Sequence, residues 1–66
     1  MTGTALVKEI RKRGGKVIRQ QSSHVRIQLG TCLTTVPVHK GETIGIGLMN
    51  KIEKDLEPCL GEGWLG

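Results

Sequence analysis

The apolar positions divide the 66-residue chain into five segments. Leu6, Val7 and Ile10 fall at helical spacing, Thr2 or Thr4 can accept backbone N–H groups at the start, and Gly14-Gly15 follows as a stop. A helix is therefore expected over about residues 3–13. From Lys16 the period shortens to that of strands, rich in Val, Ile and Thr. Three are expected, over about 16–21, 24–29 and 32–38, with Ser22-Ser23 and Gly30-Thr31 as the turns. His24-Val25-Arg26-Ile27-Gln28-Leu29 alternates without a fault, so Val25, Ile27 and Leu29 face inward and His24, Arg26 and Gln28 share the outer face. Pro37 lacks an N–H, which confines it to an edge or a strand end. Ile44, Leu48, Ile52 and Leu56 then recur four apart, giving a second helix over about 43–57 that Pro58 is expected to stop. Gly45 and Gly47 weaken its first turn. The order helix, three strands, helix is an α+β layout in which two helices cover one face of an antiparallel sheet. The other face stays open to solvent.

Size narrows what such a sheet can do. A chain this short buries only about 60% of the surface its unfolded form exposes, so any activity belongs on an open face or shallow cleft. Residues 1–57 read as one domain, and residues 58–66 as a tail that is either loosely ordered or docked through Trp64. Trp64 is also the only aromatic ring, which removes recognition by stacking several bases on aromatic platforms.

Charge adds a direction. Residues 1–30 carry seven Lys and Arg against Glu9 alone, a net of +6, whereas the remainder carries three cations against five acids, a net of −2. A basic half suits a polyanion, because clustered cations neutralise phosphates and release counterions. The competing reading is a basic helix face that is merely solvated, since cations in the last turn of a helix also suit its dipole. No run of apolar residues is long enough to span a membrane, and the segment after Met1 has no secretory apolar stretch. Cys32 and Cys59 could pair, but a reduced, cytoplasmic protein is the expectation.

The residue types on the outer face bear on chemistry. Imidazole exchanges protons near neutral pH, and RNA supplies its own nucleophile in the 2′-hydroxyl. A base at His24, with cations such as Arg26 and Arg19 on the phosphate and the Ser22 and Ser23 hydroxyls nearby, is sufficient for transesterification without a metal. The plain alternative is that His24 is an ordinary surface histidine. His39, near Pro37, is either a second member of an acid–base pair or a structural residue. His24, Cys32, His39 and Cys59 match no metal-ligand spacing, and neither a nucleophile elbow nor a phosphate-binding glycine loop is present.

The stretch Gly14-Gly15, Arg19-Gln20-Gln21-Ser22-Ser23-His24, then Val36-Pro37-Val38-His39 and a helix with Gly47-Leu48-Met49 resembles the HicA toxin family, over roughly residues 3–57. The family shows an Arg-Gln stretch before Gly-Ser-His, then Val-Pro-x-His, then a helix opening with Gly-Thr-Leu. Here Ser22 stands in place of the glycine, which alters the turn that aims His24 if that position requires a positive φ, and Leu48 stands in place of the threonine. The resemblance implies a double-stranded-RNA-binding-like fold, α-β-β-β-α. It also implies a toxin of a toxin–antitoxin system that cleaves messenger RNA and arrests growth. Its single catalytic histidine maps onto His24, and its partner is a HicB-like antitoxin covering the active face. No cofactor is expected. RNA contacts are expected from Lys12, Lys16, Arg19, Ser22, Ser23 and Arg26. A non-catalytic RNA-binding module of the same fold is the main alternative, and a protein-interaction adaptor the next.

Overall fold

The computed structural model describes residues 1–66. Helix α1 spans Gly3–Lys12, strands β1, β2 and β3 span Lys16–Gln21, His24–Leu29 and Cys32–Pro37, and helix α2 spans Ile46–Leu60. The Thr2 hydroxyl caps α1 by accepting the Ala5 N–H at 3.1 Å. Gly14, at φ 104°, turns the chain out of the helix. Gly15 then passes so close to Ile10 that a Cβ there would collide with its side chain, and it would also crowd that of Ile27. Only glycine lets the helix end meet the sheet at that distance.

The strands form one antiparallel sheet in the order β1-β2-β3. Both turns are short, so the registers follow directly: Gln21 lies opposite His24, and Leu29 opposite Cys32. Val25, Ile27, Leu29, Cys32 and Val36 face inward and are buried against Leu6 and Ile10 of α1, Ile52 and Leu56 of α2, and Trp64. Both helices thus lie on one face, as the alternation of β2 predicts. The single buried polar side chain, Thr34, donates to the Asp55 carboxylate on α2 at 3.0 Å, and Lys51 donates to the same oxygen at 3.2 Å. That satisfies a hydroxyl which would otherwise cost free energy to bury.

Three expectations are corrected at the C-terminal end. The second helix starts at Ile46 rather than near residue 43, with Gly45 as its N-cap, and it runs through Pro58 to Leu60. Proline forfeits one intrahelical bond, but the turn still closes through the Gly61 N–H donating to the Glu57 carbonyl at 2.8 Å. Cys59 anchors the same turn. It is joined to Cys32 by a disulfide instead of standing reduced. The tail beyond is docked: the buried Trp64 ring donates Nε1–H to the Glu53 carbonyl at 2.8 Å, and the Arg13 guanidinium lies 5.5 Å from its centre. No helix is long and apolar enough to cross a membrane.

The N-terminus closes the other end. Thr2 bridges to Thr43, and the Ile44 N–H donates to the Met1 carbonyl at 2.8 Å. A Cβ on Gly3 would run into the Pro37 carbonyl, so α1 starts in direct contact with the end of β3. The connection from β3 to α2 is therefore held against the start of the chain.

Candidate active site

Register decides which side chains share the outer face. Arg26 lies opposite Arg19 on one side and Thr35 on the other, while His24 lies between Gln21 and Pro37. Directly opposed residues project to the same side of a sheet. Arg19, Gln21, His24, Arg26 and Thr35 accordingly line one shallow cleft of about 190 Å³. It is too small for a bulky cofactor, and a phosphate group suits its size and charge.

Arg19 reaches this face because β1 is irregular. The pairs Val17–Ile27 and Arg19–Arg26 are consecutive on β2 but leave Ile18 unmatched on β1, a one-residue bulge. In an unbroken strand Arg19 would face the same way as Val17, toward the helices. The bulge turns it outward, beside Arg26.

Both guanidiniums are held by neutral partners. Arg26 donates to the Thr35 hydroxyl at 2.9 Å, and Arg19 donates to the side-chain amide oxygen Oε1 of Gln21 at 3.0 Å. No carboxylate lines the cleft, so both cations keep their charge available for an anion. The cleft brings fixed donors together beside an exposed imidazole, an arrangement able to hold a phosphodiester next to a proton acceptor.

The remaining expected residues lie at varied distances from this centre. Ser22 is exposed at the β1–β2 turn with φ 57°, the left-handed conformation that suits glycine, and adopts it at a cost of about 1 kcal/mol. Ser23 is half-buried, and its carbonyl accepts the Val38 N–H at 2.6 Å. Lys16 shares the outer face with Gln28, at the end of the sheet away from His24. Lys12 belongs to a separate hollow with Lys8 and Arg11 on α1. Gln21 and Thr35 were not foreseen, although the turn positions carried the signal. A two-residue turn after Leu29 puts Thr35 opposite Arg26, and one after Gln21 puts that residue opposite His24. The His39 ring stands 6.4 Å from the His24 ring, nearly perpendicular to it.

This geometry belongs with what comparison finds. A family model described as the HicA toxin of bacterial toxin–antitoxin systems matches residues 3–57. No curated protein and no solved structure matches the chain. The match runs from the first residue of α1 well into α2 and takes in every residue lining the cleft. On that span the chain belongs to the HicA toxin family of bacterial toxin–antitoxin systems.

Proposed function

We propose that the chain is a metal-independent endoribonuclease that cleaves messenger RNA, arrests growth, and is neutralised by a HicB-like antitoxin. The observation that carries this reading is the pairing of Arg19 and Arg26 next to His24 in a cleft without a carboxylate. The guanidiniums bind the non-bridging oxygens of the scissile phosphate. His24 takes the 2′-hydroxyl proton as that oxygen attacks phosphorus, and the arginines offset the charge that develops. Lys16, and more remotely Lys12, extend the positive surface along the strand of RNA, with the Ser22 and Ser23 hydroxyls at the His24 end. Because such contacts fall mostly on phosphate, binding weakens steeply with salt.

The test is cleavage of a defined RNA in chelator, with induction in cells alongside. His24→Ala is expected to keep the fold and most RNA affinity, since the side chain is exposed. Cleavage should fall by about 10²–10⁴-fold, the usual worth of a positioned acid–base group. Full activity of the variant, or activity that requires a metal, overturns the assignment. Tight binding by the wild type with no cleavage identifies instead the non-catalytic RNA-binding module.

A further inference from the structure

A base alone leaves half of the chemistry unassisted. As the 2′-oxygen bonds to phosphorus, the P–O5′ bond breaks, and the departing oxygen is an alkoxide unless something protonates it. Alkoxides are very poor leaving groups near neutral pH, since their conjugate acids are about as weakly acidic as bulk water. The arginines of the cleft donate hydrogen bonds but do not give up protons.

The His39 ring lies 6.4 Å from that of His24 at an interplanar angle of 81°. A hydrogen bond from a ring nitrogen to a phosphate oxygen spans about 2.7–3.2 Å, so two rings at this spacing both reach oxygens of one phosphodiester. Pro37, opposite His24 in the register, has no donor with which to compete. His39 also sits on a connection fixed at both ends. The Val38 N–H before it is bound to Ser23, the His39 carbonyl accepts the Glu42 N–H at 3.1 Å, and Thr43 bridges to Thr2. Its ring is exposed and fills no place in the core, so packing does not account for its position. Glu42 lines a second hollow together with His39 and is the one carboxylate among the residues of that hollow and the cleft.

We propose that His39 is the general acid of the reaction that His24 begins as base, an inference that rests on the cleavage reading above. The imidazolium of His39 gives its proton to the 5′-oxygen as the P–O5′ bond breaks. His24 meanwhile receives the 2′-hydroxyl proton. The products are a 2′,3′-cyclic phosphate and a free 5′-hydroxyl, and the two histidines exchange protonation states, which solvent resets. No oxidant, metal or further reactant enters the balance.

The experiment compares one oligoribonucleotide with its counterpart carrying sulfur in place of the bridging 5′-oxygen at the scissile site. A thiolate, with a thiol pKa near 8.5, leaves without a proton and so makes a general acid unnecessary. His39→Ala is expected to lose about 100-fold or more on the ordinary oligonucleotide and to cut the sulfur-bridged one within a few-fold of wild type. His24→Ala should be slow on both. His39→Gln, which keeps polarity and bulk but no acid, should behave as His39→Ala does and guards against a folding defect. Wild-type rates for His39→Ala on the ordinary oligonucleotide, or equal losses on both substrates, overturn the role of His39 while leaving that of His24 standing. Failure of the wild type to cut either substrate overturns the cleavage reading itself, and this proposal with it.

Discussion

The two edge strands of the sheet lead different lives. In β3, residues Cys32, Thr34 and Val36 are buried beneath α2, and the strand is tied to that helix twice, through Thr34 to Asp55 and through Cys32 to Cys59. In β1 all six residues are exposed, including Val17 at 41% and Ile18 at 52%. Two helices in 66 residues do not cover three strands, so the core settles over β2 and β3, and β1 is held chiefly by its ladder to β2. A strand that contributes little to the core is free to carry a bulge and present Arg19 to solvent. Stability and chemistry are thereby assigned to opposite faces of one small sheet.

The sharpest way to break this contrast is to make the same substitution on both sides. Ile52→Ala removes a fully buried side chain and should cost about 4 kcal/mol. Small domains are stable by only about 3–10 kcal/mol, so the variant should be largely unfolded or melt far below the wild type in a thermal scan. Next in size is the disulfide. It closes a loop with a sequence separation of 27, and its loss should cost about 3.5 kcal/mol by the chain-entropy estimate. Melting with and without reductant measures this, and a shift of about 14–28 °C is expected for a domain of this size. RNA cleavage measured well below the reduced melting point should be unchanged, because neither cysteine lines the cleft. Smallest of all is Ile18→Ala, expected to change stability by no more than about 0.5 kcal/mol. A loss at Ile18 comparable with that at Ile52 would mean that β1 is packed against something, and the division of labour would fail.

The same division explains what could be read along the chain. The β2–β3 hairpin was legible because its alternation is unbroken and its turn short, and α1 because a capping threonine and two glycines bound it. His24 and Arg26 followed from that alternation. The outward turn of Arg19 did not, because Lys16-Val17-Ile18-Arg19 contains no mark of the bulge. An extra residue is settled by pairing across the ladder rather than by local preference. The C-terminal corrections have a related cause: Pro58 disfavours helix locally, whereas Cys59, Trp64 and the Gly61 N–H act through contacts distant in sequence or beyond the proline. The sequence leaves open whether His39 stands beside His24, since that depends on a connection folded back against Met1 and Thr2.

Trp64 gives the molecule a built-in optical probe. It is the sole indole in a chain without tyrosine or phenylalanine, and it sits buried with Glu53 on its N–H and Arg13 on its ring. All ultraviolet emission of the protein therefore originates where the C-terminal segment meets α1 and α2, away from the residues that line the cleft. Fluorescence follows the closing of that junction during folding, and a ligand seated on the outer face of the sheet is seen only if its binding reaches through the sheet to the helices.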